Sequence, residues 1–335
     1  MNKKKKLGII VLPGVCLFGL LLYLILDRHM TIPFICRYKA GANYTMAVVH
    51  TTNPLDITLD SLQLIDWSLA PDHPQCRFMA DPFIVNNQDT LYIFYEHFPA
   101  KVNSTWGDIG VMRSLDGGAS WTFMGIAIDE PYHLSFPHVF QDHGEWYMLP
   151  CSGAISQLVL YKAVDFPMKW EKVKVLRDNY SYTDPMLYHD SIYYLFVSEN
   201  GEERFALYTA DSLGAPLVEH PCSPIRCTWN NHTRLAGEVA FYDGRPYLFM
   251  QEHNGGYGSG VAVFCIDSIS PTYYHDYALD SVPLLSKTGM GWNADGMHTY
   301  NFVRVGNSFI GVVDGSRNHE REVGWDWKNY PKFRW

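Results

Sequence analysis

One unit recurs from Ala80 to Asp314: an apolar strand, a short polar turn and a second, aromatic-rich strand. The copies run Ala80–Val85 with Leu91–Glu96, Ser135–Phe140 with Trp146–Pro150, and Thr183–Tyr188 with Ile192–Ser198. Gly237–Tyr242 with Pro246–Gln251, and Met297–Arg304 with Phe309–Asp314, complete the series. The turns include Asp243-Gly244 and Gly306-Asn307, dipeptides that favour tight hairpins. After each of the first four copies a second hairpin follows, marked by Asp116, Asp165, Asp211 and Asp267. Their spacing is roughly 50 residues, and two hairpins per period make one four-stranded propeller blade. The expected fold is therefore all-β, a five-bladed β-propeller. The fifth copy has little chain left for outer strands, so the segment Thr45–His50 is expected to pair with it and close the ring. A sandwich of short strands is the minor alternative.

Ser114-Leu115-Asp116-Gly117-Gly118-Ala119-Ser120-Trp121 fits the S-x-D-x-G-x-x-W turn of sialidases and other propellers. Asp116 is expected to accept bonds from turn amides while Trp121 packs beneath. That role is structural, not catalytic.

The N-terminus carries Lys3–Lys6 and then Leu7–Leu26 without a charge. Such a run of about 20 residues suffices to cross a hydrocarbon core as a helix. The lysines keep the tail in the cytosol and direct the rest to the lumen. The expectation is an uncleaved single-pass type II anchor in the Golgi or endoplasmic reticulum. A cleaved signal peptide fits less well, because the run is long and no small-x-small site follows. The boundaries expected are a cytosolic tail 1–6, an anchor 7–26, a stem and ring-closing segment 27–65, the propeller 66–315 and a C-terminal tail 316–335. Sequons at Asn43, Asn103, Asn179 and Asn231 agree with a lumenal glycoprotein. The cysteines permit disulfides without specifying them, and their spacing suggests no zinc site.

A net charge of −9, with no basic stretch after the anchor, argues against a nucleic-acid partner. Aromatic residues make up 15% of the chain, which leaves open whether they pack the core or stack on sugar rings.

In a propeller the first strand of each blade lines the channel, so equivalent positions converge. Those positions hold Asp81, Phe136 with His138, Asp184, Glu238 and His298. Asp81 and Asp184 share the context Asp-Pro-apolar. A buried acid needs a reason, and paired carboxylates across a pocket suit glycoside chemistry. Asp81, Asp184 and Glu238 are the catalytic candidates: Asp81 as base or nucleophile, Asp184 or Glu238 as acid. His138, Arg234, His298, Glu96 and Gln251 are the substrate-binding candidates. Cys151, Glu199, Glu252, His253 and Asp314 also stand where second strands end near the channel mouth. No Asp-x-Asp triplet, P-loop or nucleophile elbow is present; no metal or cofactor is expected.

Phe78-Met79-Ala80-Asp81-Pro82-Phe83, Gly107-Asp108-Ile109-Gly110-Val111, His133-Leu134-Ser135-Phe136-Pro137, and Tyr161-Lys162-Ala163 before Phe166-Pro167 form a distinctive series. The chain resembles, from about Asp66 to Gly315, the N-terminal propeller domain of plant glucosamine inositolphosphorylceramide transferase. More distantly, Asp81-Pro82 is similar to the base-bearing strand of family 43 glycoside hydrolases. The resemblance implies carbohydrate chemistry. In the plant enzymes sugar transfer is attributed to a separate C-terminal glycosyltransferase domain, which is not expected within Met1–Trp335. The family often has Pro-Glu where this chain has Pro150-Cys151, and arginine where it has Glu238.

Two readings stay open. One is an enzyme, transferase or glycosidase, acting on glycans or glycolipids. The other is a non-catalytic module that binds a glycan and presents it to a separate glycosyltransferase. Facing carboxylates would favour the first; acids tied to amides in an aromatic pocket would favour the second.

Overall fold

Apolar residues in the second strand of each unit alternate between two destinations. Leu91, Ile93 and Tyr95 join one hydrophobic cluster, while Tyr92 and Phe94 join another. Tyr193, Leu195 and Val197 part from Tyr194 and Phe196 in the same way. Alternate side chains of a strand point to opposite faces. A strand buried on both faces therefore reads as the near-continuous apolar run that made the repeat visible.

The computed structural model describes residues 14–20, 36–40, 43–65, 76–99, 106–199, 204–227, 231–317 and 319–323. Residues 43–317 form one unit of five antiparallel sheets. Blade I consists of Cys76–Asn87, Thr90–Pro99, Asp108–Ser114 and Thr122–Ile128. Blade II consists of Ser135–Asp142, Glu145–Cys151, Gln157–Asp165 and Lys169–Asp178. Blade III follows with Tyr182–His189, Tyr193–Glu199, Arg204–Ala210 and the short Val218–Glu219. In blade IV the inner strand is split into Asn231–Leu235 and Ala240–Tyr242, both paired to Arg245–Glu252. Gly260–Ile269 and Tyr274–Ala278 lie outside them. The split replaces the continuous strand expected over Gly237–Tyr242.

Blade V begins with Tyr300–Val305 and Ser308–Ser316. Its third strand is Tyr44–Thr51, paired from Tyr44↔Ser316 to Thr51↔Phe309, and Gln63–Leu64 adds the fourth. The ring is thus closed by joining early chain to late chain. The five apolar clusters lie chiefly at the junctions between consecutive blades. The core is divided around the ring rather than gathered at its axis, which leaves the axis to polar groups.

The Asp-box turn forms as expected. Asp116 Oδ1 accepts from Ser114 Oγ (2.7 Å) and Ser120 N (2.9 Å). Hydrogen bonds from Ser120 and Ser114 hold its carboxyl down to about 2. Trp121 packs on the cluster between blades V and I.

Two expectations concern chain outside this unit. Cys36–Ala40 pairs antiparallel with His319–Val323 as a separate ribbon. Of the expected anchor, only Gly14–Leu20 falls among the described residues, as helix. No described helix is long and apolar enough to cross a membrane. The rest of Leu7–Leu26 and the tail from Gly324 lie outside the described residues. Cys76, Cys151, Cys222, Cys227 and Cys265 are free thiols.

Blade IV meets blade V closely at Gly237. A Cβ there would stand 2.1 Å from the Tyr300 carbonyl and 2.9 Å from Asn301 Oδ1. Backbone cannot yield as a side-chain tip can. Gly237→Ala is expected to cost about 2–3 kcal/mol by overpacking, read as a lower denaturant midpoint with an unchanged slope.

Candidate functional site

Three blades carry the same local distortion. The inner strands of blades I, II and III each skip register, between Ala80 and Phe83, Ser135 and His138, and Thr183 and Met186. Within each bulge one residue takes a positive φ: Asp81 at 50°, Phe136 at 45° and Asp184 at 50°. Each precedes a proline, a position that normally favours extended backbone. Left-handed non-glycine residues cost of order 1–3 kcal/mol and concentrate at functional sites. Asparagine and aspartate tolerate this region; phenylalanine there is an outlier. The bulges turn these three side chains out of the strand's alternation.

Hydrogen bonds pass from blade to blade through them. The Asp81 amide donates to Asp314 Oδ2 in blade V (3.1 Å), and the Phe136 amide donates to Asp81 Oδ2 (3.1 Å). The relay stops at Phe136, whose ring accepts nothing. Asn301 ties the other side: it accepts from the Glu238 amide (2.8 Å) and donates to the Pro82 carbonyl (2.8 Å).

Two charged centres result. In the first, Asp314 Oδ1 accepts the amides of His298 and Thr299, both at 3.0 Å, and its Oδ2 lies 2.8 Å from His298 Nδ1. Thr299 Oγ1 donates to Asp81 Oδ1 at 2.9 Å. Burial raises the Asp81 carboxyl, and His298 only partly offsets it. Burial also works to raise Asp314, but His298 and the amides outweigh it and hold that carboxyl below its usual range. Burial works to lower His298, and Asp314 outweighs it, so the imidazole is raised. Tyr44 stacks on His298 with centroids 4.7 Å apart.

The second centre is Asp184, which is fully buried. Arg234 grips it with Nε to Oδ2 (2.7 Å) and Nη2 to Oδ1 (3.1 Å), and Gln251 adds a bond to Oδ2 (3.0 Å). Burial still raises the Asp184 carboxyl, against the pull of Arg234. The remaining guanidinium nitrogen, Nη1, donates to Tyr257 Oη at 2.9 Å, and the cation lies 5.2 Å from the centre of that ring. Tyr257 is half-exposed. Gly258 after it has φ +57°, and a Cβ there would meet His298 at 2.7 Å, so glycine is what lets the loop lie this close.

Around these centres stand two acids with looser ties. Glu96 is buried, and burial followed by the charges of Asp81, Asp314 and Asp184 pushes its carboxyl well up. Its Oε1 lies 3.6 Å from His133 Nε2. His133 Nδ1 accepts from the Gly107 amide at 2.8 Å, which leaves the proton on Nε2, facing Glu96. Glu238 is about a quarter exposed, and burial pushes it up to about 8. Its Oε2 lies 3.8 Å from His138 Nδ1, a buried nitrogen with no hydrogen-bond partner. His138 Nε2 faces the Leu187 carbonyl at 3.0 Å, so it carries the proton; burial lowers this imidazole to about 4.

The structure brings Asp81 beside His298, Asp184 beside Arg234 and Gln251, and Glu238 beside His138, and it gives the eight residues proposed from the sequence unequal roles. Asp81 and Asp184 are committed to protein donors. Gln251, Asp314 and His298 position other groups. Arg234 is held between Asp184 and Tyr257; Glu96 and Glu238 retain capacity for a ligand, and His138 backs Glu238. Glu199 is structural, held by Arg204 (2.9 Å) and Tyr208 (2.5 Å). Thr299, Asn301, Tyr44, Tyr257 and His133 escaped attention as site residues. Tyr257 was hidden in Gly255-Gly256-Tyr257-Gly258, read as a turn, and Thr299 and Asn301 carry no signal beyond their closeness to His298. Asp81, His298 and Asp314 bring ligand atoms within 4.8 Å of one another, the geometry a metal would need. Their lone pairs already take four amides and a hydroxyl, so the cluster reads as a hydrogen-bond knot.

Residues 66–316 match the family model described as glucosamine inositolphosphorylceramide transferase 1, N-terminal. The Arabidopsis thaliana protein named glucosamine inositolphosphorylceramide transferase 1 is 34% identical over 256 residues, covering 72% of this chain and 32% of its own length. The protein of that name from Oryza sativa subsp. japonica is 33% identical over 250 residues, covering 72% and 33%. The chain spans about a third of the length of these relatives. Among solved structures, an exo-1,5-alpha-L-arabinanase from a bovine ruminal metagenomic library superposes with TM-score 0.51 at 12% identity, over 74% of this chain and 99% of that one. An exo-beta-1,3-galactanase from Phanerochaete chrysosporium gives 0.52 at 13%, over 80% and 64%. These two share the fold.

Proposed function

We propose, since the chain belongs to the family of the glucosamine inositolphosphorylceramide transferase 1 N-terminal domain, that its channel mouth binds the sugar head group of a glycolipid and presents it for glycosyl transfer by a separate catalytic unit. The observation that carries this reading is the bidentate Asp184–Arg234 pair, which aims a planar cation at the half-exposed ring of Tyr257. The guanidinium, held between Asp184 and Tyr257, sets positive charge beside an aromatic ring, which suits an anionic sugar head group. The aromatic ring suits the apolar face of a sugar. Asp81 and Asp184, the acids a hydrolase would need free, are each engaged by protein donors. That arrangement favours binding.

The test uses the full chain from a secretory host and vesicles bearing inositolphosphorylceramide glycolipids, beside vesicles of plain ceramide. Saturable binding to the first alone, weakened at least tenfold by Arg234→Lys, supports the reading. Equal binding to both vesicle types sinks it.

Glu238 supplies a pH signature. With its carboxyl pushed up to about 8, it is protonated below that value and can donate to a ligand oxygen. Affinity is expected to fall several-fold as pH rises from 7 to 9. Glu238→Gln, which keeps a donor at every pH, should flatten that profile in a titration of binding against pH.

A second reading has its own support: Glu96 and Glu238 are both raised, the state a general acid requires. Turnover of nucleotide sugars or oligosaccharides, lost in Glu238→Gln or Asp81→Asn, would make the propeller an enzyme. Anchoring belongs to the same proposal. Lys3–Lys6 followed by uncharged Leu7–Leu26 supports a single-pass type II placement in the Golgi or endoplasmic reticulum membrane. Endoglycosidase-sensitive glycan on Asn179, an exposed turn residue, would report a lumenal propeller.

A further inference from the structure

The inner strands that carry the channel site also reach a second cavity. Phe136 stands near the start of the blade II inner strand and Asp142 at its end, so roughly 20 Å of extended chain separates them. At that far end, between blades II and III, lies a cleft of about 370 Å³. This falls within the ~300–1,000 Å³ of small-ligand pockets. It shares no residue with the channel site.

Its lining has a definite chemistry. Tyr147 offers a ring backed by Phe140, with centroids 5.8 Å apart. Asp142 is only 8% exposed, and its carboxylate has one side-chain partner among the described residues, Tyr193 Oη at 2.5 Å. Asp142 lines the cleft, and the remaining lone pairs of its carboxylate can accept from a ligand hydroxyl. Lys162, 3.6 Å from Glu145 and 6.0 Å from the centre of the Tyr147 ring, brings an ammonium to one side. Lys174 donates across the junction to the Gly214 carbonyl and keeps two N–H groups. Anionic and cationic groups alternate, which suits a compact ligand bearing many hydroxyls better than a simple anion.

We infer that this cleft is a second carbohydrate site, taking one pyranose unit with its apolar face on Tyr147 and its hydroxyls on Asp142, Lys162 and Lys174. A propeller that holds a glycan at both ends of its strands can engage two chains, or two parts of one.

The test uses the full chain and, as probes, the methyl pyranosides of glucose, galactose, mannose and xylose, with binding followed by saturation-transfer difference NMR. Ser212→Trp fills the cleft from an exposed turn, and Asp142→Asn removes the carboxylate. Saturable binding by at least one probe is expected, weakened tenfold or more in both variants and unchanged in Arg234→Lys. Should Asp142→Asn fail to fold, Ser212→Trp alone decides, with its melting temperature confirming the fold. Absence of saturable binding by every probe overturns the inference, as does binding untouched by Ser212→Trp. Loss in Arg234→Lys with retention in Ser212→Trp assigns the probe to the channel and also overturns it.

Discussion

Arg234→Ala is expected to abolish ligand binding at the channel mouth, by about 100-fold or more, and to destabilise the propeller by about 3–5 kcal/mol. Both effects come from one cause. Asp184 is fully buried, and Arg234 supplies two of its three side-chain hydrogen bonds. Without the guanidinium a carboxylate is stranded in the interior. Its escape is to take up a proton, so the deficit should shrink as pH falls. The sign is fixed: burial already raises the Asp184 carboxyl, and losing Arg234 raises it further above its unfolded value. The penalty is then present at neutral pH and relieved once pH drops below the folded value. Denaturant titrations at pH 5 and pH 8 read this directly. Arg234→Met with Asp184→Leu should recover most of the stability and none of the binding, because an apolar pair needs no partner charge. A stability loss under 1 kcal/mol in Arg234→Ala would mean that Asp184 is not sealed as described.

The second large effect concerns the joint between blades V and I. Asp314→Asn keeps the size of the side chain but puts an NH₂ or a weaker acceptor where four donors converge: the amides of Asp81, His298 and Thr299, and the His298 imidazole. A loss of about 3 kcal/mol is expected, since hydrogen bonds to a charged group are lost and a raised imidazole is left uncompensated. His298 is raised, so its contribution is complete below about 6.5 and fades as pH rises through its folded value. Asp314 is lowered, so its contribution is complete above about 3.9 and fades as pH falls through its folded value. The gap between wild type and variant should therefore be widest between about pH 4 and pH 6.5 and narrow on both sides. A gap independent of pH would show that the pair contributes through shape alone.

The fold was legible because its signal is repeated. Strands buried on both faces give runs such as Leu91-Tyr92-Ile93-Phe94-Tyr95, and five such runs at one spacing leave few architectures open. Asp116 declared its turn by local spacing alone, and the local geometry follows. Asp81 and Asp184 were found as acids at matching repeat positions, where apolar residues would be ordinary.

What those acids do was not legible, because a role depends on partners far away in sequence. Asp184 receives Arg234 from 50 residues on, and Asp81 receives Thr299 from 218 on. No period announces either pair. The bulges at Asp81, Phe136 and Asp184 likewise appear only once both flanking ladders hold the backbone at positive φ. Tyr257 sits in a glycine run that reads as a plain turn, and becomes part of the site because Gly258 lets the loop close on His298. The sequence by itself determined the blade and its number, since those follow from alternation and spacing along the chain, and it proposed residues for the axis. Only the tertiary structure decided which of those residues are spent on holding the ring and which face a ligand, because burial and pairing are set when five blades meet.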